Sequence, residues 1–352
     1  MRNAGAEARR LRSSAGTLPA VLALVGLLLL ASCSGGGRAQ ASPGRSPDQR
    51  GLTQKQATQA ALLTWGSFLN AEVAVDPPSL AKSEAGHQLQ IDQAVLRAGL
   101  KGGEKENQYQ PTATVEWVAY PRTAPQLAEI ARITTVWGSG GGNWDRLALF
   151  VRSSVDKPWH ILSAPELSNP SATQVAALRS FGQSSSSRSS PVPNLPIAPA
   201  SLGSAYLQYV GGGNDQHFAA GPFTDQVRSS NVTSVRSWDQ AGISITFPAD
   251  SSWLDGVYPL GQDGDWLVFF GTRYDWKYDA QAGHCVPQGS TPQQEYFPTA
   301  YVPAGKYAEV RVQYSAVYAA IESPSTSSVD VVAGELIPVG ASTQPTTEPS
   351  CM

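Results

Sequence analysis

Histidines, serine–lysine pairs and cysteines are the places where this 352-residue chain could do chemistry, because they supply proton carriers, metal ligands and nucleophiles. The four histidines, His87, His160, His217 and His284, stand far apart, and none has a second histidine two to five residues away. Zinc-type spacing is therefore absent, and no metal or other cofactor is expected. Ser79-Leu80-Ala81-Lys82 and Ser154-Val155-Asp156-Lys157 each put a lysine three residues after a serine, the spacing with which penicillin-recognising enzymes activate a serine on one helical turn. Ser79 follows Pro77-Pro78, Ser154 falls in a turn between strands, and the Lys-Thr-Gly triplet of such enzymes is missing, so both are set aside. No Gly-x-Ser-x-Gly elbow, phosphate loop or His-Glu-x-x-His helix occurs. Gly138 to Gly142 leads into a strand and reads as a hairpin, as does Asp263-Gly264-Asp265.

Cys33 has a context that the other cysteines lack. Arg2, Arg9, Arg10 and Arg12 precede an apolar run of 13 residues from Leu18 to Leu30, which closes on Ala31, Ser32 and the cysteine. Charged, then apolar, then small is the order of an export signal, and the run is short for a membrane span. Leu30-Ala31-Ser32-Cys33 resembles the lipobox of bacterial lipoproteins. That resemblance implies that residues 1–32 are removed as a signal peptide and that Cys33 becomes the N-terminus with diacylglycerol in thioether linkage on its sulfur. The expected partner is then the membrane, and the expected location the outer face of the cytoplasmic membrane. Two acyl chains, at roughly 0.8 kcal/mol per buried methylene, anchor stably without a spanning helix. Ser34-Gly35-Gly36-Gly37 opens a polar stretch that reads as a flexible tether over 33–52.

With Cys33 acylated, Cys285 and Cys351 are the cysteines left, and outside the cytoplasm they can pair. Such a bridge would stabilise by roughly 4 kcal/mol on the chain-entropy model; the alternative is two free thiols. Loss of residues 1–32 removes four arginines and one glutamate, which takes the formal charge from −3 to −6. No basic patch is evident, so nucleic acid is not an expected partner.

The elements that must position any site follow from hydrophobic period. Thr53 is an N-cap, and Ala61, Leu62, Trp65, Phe68, Leu69 and Val73 recur at helical spacing up to Asp76-Pro77-Pro78. A second helix spans Ile91 to Leu100, and strands follow over Thr112 to Tyr120, Leu127 to Trp137, Arg146 to Arg152 and Trp159 to Ser163. After Gly182 to Ala200, rich in serine and proline, the plan repeats loosely: a helix over Ala200 to Tyr209, then strands at Ile243 to Phe247, from Asp265 to Asp279, Tyr307 to Ala320, Val329 to Val332 and Leu336 to Val339. On the strand from Asp265 the even positions, ending in Tyr274, Trp276 and Tyr278, stay apolar or aromatic. The odd positions pass from Leu267 and Phe269 to Arg273, Asp275, Lys277 and Asp279. The three late aromatics either pack in the core or project past it to line a ligand pocket or partner surface.

These elements predict an α+β chain of two tandem domains, each with short N-terminal helices packed on a curved antiparallel sheet. The domains are placed at 53–181 and 201–341, with a Ser/Pro-rich linker at 182–200 and a disordered tail at 342–352. Helices followed by a bent sheet, twice over and behind a lipobox, resemble actinobacterial lipoproteins of unknown function whose halves are similar to the nuclear-transport-factor-like cone fold. The resemblance implies a cone whose mouth can hold a small ligand, in a superfamily of both enzymes and binding modules. The Asp–His pair common in its enzymes does not map onto this sequence; His160, between Trp159 and Ile161, either is a satisfied strand histidine or points into the first cone, where it could contact a ligand or serve as an acid or base. The expected function is non-catalytic binding of a small ligand or another exported protein at the envelope. The alternative is a cone-type hydrolase or isomerase acting on an envelope metabolite.

Overall fold

The computed structural model describes residues 52–103, 110–121, 127–137, 142–182, 195–213, 216–261, 264–289, 297–298 and 300–347. The expected signal peptide, Cys33 and its tether, Cys351, most of the Ser/Pro linker, and Gly138 to Gly141 of the expected hairpin lie outside these residues. The fold is α+β.

Helix α1 (Gln54–Ala74) starts at Thr53, whose hydroxyl accepts the Gln56 N–H while the Gln56 side chain accepts the Thr53 N–H. Two amides that a helix start leaves unpaired are thereby satisfied. Its stripe of Ala57, Ala61, Trp65, Phe68 and Leu69 lies on one face of an antiparallel meander of β1 (Thr112–Ala119), β2 (Ala128–Val136), β3 (Asn143–Val151) and β4 (His160–Ser163). Val118, Ala131, Ile133, Ala148 and Phe150 form the sheet side of that core. A 3-10 turn (Pro77–Lys82) then leads to α2 (Gly86–Lys101), which begins earlier than its apolar period suggests. Ala85 offers no side-chain cap and Gly86 has φ +62°, so neither carries the usual signal of a helix start. Helix α3 (Ala172–Arg179), with its own Ser171–Gln174 capping box, closes this half.

The second half places α4 (Pro199–Val210) and α5 (Asp225–Gln240) ahead of β5 (Ile243–Thr246), β6 (Ala249–Leu260), β7 (Asp265–Ala280), β8 (Val286–Gln288), β9 (Gly305–Ser323) and β10 (Ser328–Pro345). The strands form one antiparallel sheet in the order β10-β9-β7-β5, with β6 also on β7 and β8 on β9. Period two decides what each face meets. Val268 and Phe270 of β7 face Leu202, Tyr206 and Val210 of α4, whereas Leu267 and Phe269 face Ile130, Leu147 and Leu149 of the first half. The two sheets therefore share a core, with helices on the outer face of each. Leu167 bridges Ala333, and the Gly334 N–H donates to Glu166 O at 2.9 Å, which ties β10 to the first half by backbone as well.

Two expected boundaries shift. Leu195 and Ile197 are buried, and the Ile197 N–H donates to Glu322 Oε2 at 3.2 Å, so residues 195–200 belong to the fold and not to the linker. Ser342 to Pro345 continue the β10 ladder opposite Arg311 to Tyr307, so the tail begins after them. Main-chain hydrogen bonds hold this polar end, which has no apolar signal to announce it.

Candidate functional site

The residues singled out by sequence are dispersed. Ile161 and Ser163 of β4 are buried, with Ile161 in the helix-side core, so alternation turns His160 to the opposite face, where it is half-buried. The expectation that it serves as an acid or base inside the first half is corrected accordingly. Tyr274 and Tyr278 are each 4% exposed, and burial pushes both hydroxyls well above the usual tyrosine range. Tyr274 stacks on Tyr314 at 6.2 Å, Tyr278 meets the rings of Trp238 at 5.4 Å and Phe297 at 4.8 Å, and Trp276 meets Phe247 at 5.0 Å. Tyr274 and Tyr278 are core, not pocket lining, and Trp276, half-buried, packs against the cluster that α5 and the segment around Phe297 and Val302 build on this face of β7. The other face is the open one. There Arg273, Asp275, Lys277 and Asp279 lie opposite Ser315, Gln313, Arg311 and Glu309 of β9. Cys285 is disulfide-bonded, and its partner lies outside the described residues.

Where the first half ends against this open face, side chains from both halves meet. The +62° φ of Gly86 starts α2 from the strand-like segment at Glu84, an angle that favours glycine, and a Cβ there would press on the end of the Leu162 side chain, 2.8 Å from its Cδ1. The next residue, His87, lays its imidazole on the indole of Trp253 in β6, with ring centres 4.2 Å apart and planes 19° apart. On its other side the indole lies over Gly271 of β7, where a Cβ would come within 2.2 Å of Cζ2. A β-bulge between Leu254 and Gly256 leaves Asp255 unpaired in the ladder. Its carboxylate accepts the Trp253 Nε1–H at 3.3 Å and stands 3.9 Å from His87 Nδ1. Arg273, on the same face as Gly271, donates through Nε to Ser315 Oγ at 3.3 Å.

Solvent access divides the group. The Asp255 side chain is 4% exposed and that of His87 41%. Burial pushes the Asp255 carboxyl up to about 7, while burial and then the Arg273 guanidinium hold His87 below the ordinary histidine range. A carboxyl that titrates near neutrality beside a neutral imidazole can carry a proton either way at pH 7. Gly271→Ala is expected to push Trp253 off its seat at a cost of about 1–3 kcal/mol, with a red-shifted indole emission that Trp253→Phe removes. Unchanged emission and stability would mean that the indole does not need that seat.

Behind this group lies a deeper one. Gln88 donates through Nε2 to Asp92 Oδ2 at 2.7 Å and accepts the Ala164 N–H through Oε1 at 3.1 Å. Burial, then the Asp92 charge, pushes the Glu84 carboxyl up to about 12, so Glu84 is protonated where it meets Asp92. Arg146 of β3 donates through both terminal nitrogens to Glu335 of β10, at 2.7 Å for Nη2, and to Ala164 O at 2.9 Å. This ion pair joins the halves. Ser79 and Lys82 do share a turn, with Lys82 Nζ 3.3 Å from Ser79 Oγ, yet that hydroxyl donates to Asp76 Oδ2 at 2.5 Å and the pair lies at the surface. Among the described residues no three His, Cys, Asp or Glu side chains are placed to hold a metal ion, and no helix is long and apolar enough to cross a membrane.

His87 and Asp255 come from different halves, so no local spacing links them in the sequence. A family model described as a domain of unknown function (DUF8094) matches residues 49–341. No curated protein and no solved structure matches the chain.

Proposed function

The chain belongs to this family of unknown function, and from that premise we propose that it is a lipid-anchored envelope lipoprotein, acylated on Cys33 at the outer face of the cytoplasmic membrane. Its role in this reading is to bind a small ligand or another exported protein without transforming it, through halves built on the cone plan. One observation carries it: the half-exposed His87 and Trp253 meet from two halves beside the open polar face of β7 and β9, with no serine or cysteine nucleophile described among their partners. Aromatic rings anchored in a rigid sheet give contact area at little entropic cost.

Native mass spectrometry of the purified full chain tests the reading. A co-purifying mass that is lost on Trp253→Ala is expected, since removal of a stacked aromatic costs about ten-fold or more in affinity. A chain that is bare in both forms would overturn it. The 3.9 Å approach of His87 to Asp255 favours a second reading, a hydrolase or isomerase whose base is His87 and not His160. Turnover of a co-purified molecule that stops in His87→Ala, with binding retained, would select that reading.

Pairing of Cys285 with Cys351 belongs to the same proposal. Val286 of β8 and Pro345 of β10 flank Tyr307 of β9 from opposite sides, roughly 10 Å apart at the usual strand spacing. The six residues from Pro345 to Cys351 reach up to about 20 Å, enough to return to Cys285. Peptide mapping without reductant is expected to recover a Cys285–Cys351 peptide; a Cys33–Cys285 peptide would exclude both the pairing and the lipid.

A further inference from the structure

We propose that the seam between the halves is an oxyanion site, in which Arg273 and His87 hold a carboxylate or phosphate carried by the ligand. The proposal rests on the binding reading of the same seam and names the chemistry that the seam recognises.

Arg273 differs from its cationic neighbours. Arg146 is paired with Glu335, Arg311 with Asp275 at 3.4 Å, and Lys277 with Asp279 at 2.7 Å and Glu309 at 3.1 Å. Among the described residues no carboxylate lies within 4.0 Å of Arg273, although it is half-buried. Its hydrogen bond to the fully buried Ser315 uses the Nε donor, which leaves the terminal N–H groups for an acceptor. A half-buried guanidinium without a counter-ion carries a desolvation cost that a bound oxyanion would offset. The charge already acts on His87, whose ordinary protonation it opposes. An anion between the two would reverse that effect and draw a proton onto the imidazole.

The acidic groups around the site do not block an anion. Asp275 and Glu335 are each neutralised by an arginine. Asp255 sits behind the stack with 4% exposure, and burial keeps part of its population protonated at neutral pH. The Trp253 indole, which stacks on His87 and lies over Gly271, seats the half-exposed imidazole beside the charge. An oxyanion attached to a carbon skeleton fits that combination of fork, imidazole and ring.

The test follows the imidazole proton resonances of the purified full chain through a pH titration, with His87→Gln to assign the signal. Arms contain inorganic phosphate, acetate or chloride at equal ionic strength. The expected result is an upward move of the His87 midpoint in phosphate or acetate but not in chloride, with the stronger of the two arms naming the group. In Arg273→Gln the anion dependence is expected to weaken by about 10- to 100-fold, as for loss of a hydrogen bond to a charged group. A His87 midpoint that is blind to both anions, or a shift that persists in Arg273→Gln, overturns the site. An Arg273→Gln chain that keeps a co-purifying mass overturns the oxyanion assignment and leaves the binding reading standing. An anion-dependent shift in a chain that carries no co-purifying mass upholds the site and overturns the binding reading.

Discussion

Arg146→Ala is expected to cost about 3–5 kcal/mol of folding free energy, which is a large share of the roughly 5–15 kcal/mol that holds a domain together. Arg146 is 9% exposed and is the cation that Glu335 reaches from β10. Its charge also acts on Asp92 and Glu166, so its removal leaves three carboxyl groups facing one another at the join of the halves. Burial alone would make such a pair expensive, and its value lies in the penalty for breaking it. The same reasoning says that Arg146→Met combined with Glu335→Leu recovers much of the loss, because it removes the carboxylate that Arg146→Ala strands directly and leaves Asp92 and Glu166, whose carboxyls burial already pushes up. Thermal and urea unfolding of the two single variants and the double variant measure the coupling. A double variant no more stable than Arg146→Ala would show that the ion pair is not what the halves lean on. Should Arg146→Ala fail to fold, recovery of folding in the double variant gives the same answer.

Unfolding is expected to become easier as pH rises from 5 to 8. Burial pushes Asp255 and Glu322 up to about 7 and Glu129 up to about 8, from ordinary values of 3.8 for the aspartate and 4.5 for the glutamates. Folded chains therefore keep protons that unfolded chains have released by pH 5, and stability falls wherever the folded state binds the extra proton. The stability is whole below about pH 4 and is lost progressively up to about pH 7 or 8. Each group contributes a slope of up to about 1.4 kcal/mol per pH unit. At roughly 2–4 °C per kcal/mol, the melting temperature should drop by at least about 5 °C between pH 5 and pH 8. Glu129 supplies the control. Neither of its carboxyl oxygens has a hydrogen-bond partner among the described residues, and it is 0% exposed. Glu129→Gln should raise stability at pH 8 while changing little at pH 5. A melting temperature that is level or rises toward pH 8 would contradict the burial of these groups.

Much of the framework was legible because it is local. The Thr53 cap and the stripe through Trp65 and Phe68 specify α1 within one residue of its start, and the alternation from Asp265 specifies nearly all of β7. Helix α5 was not legible: Asp225–Gln240 is polar almost throughout, and it is held by Asn231, which donates to Val210 O at the end of α4, and by Val235 and Trp238 against the second sheet, rather than by an apolar stripe. The strand β6 carries Gly256 and Pro259 and is not among the strands expected from the sequence, yet the bulge at Asp255 makes it the strand that presents the site. The aromatic face of β7 is the more distinctive one in the sequence, whereas the charged face is the open one. Alternation tells two faces apart but not which of them a helix will cover.

By itself the amino-acid sequence determined the α+β class, the helices and strands with a clean period, and the expectation of export and acylation at Cys33. Each depends on residues that are neighbours in the chain, where propensity, capping and patterning act. Only the tertiary structure decided that the two sheets share a core, that Tyr274 and Tyr278 are sealed inside it, and that His87 meets Trp253 and Asp255. Those contacts join segments some 170 residues apart, and what sets them is which faces exclude water when the halves close, a property of the packed chain and of no local stretch.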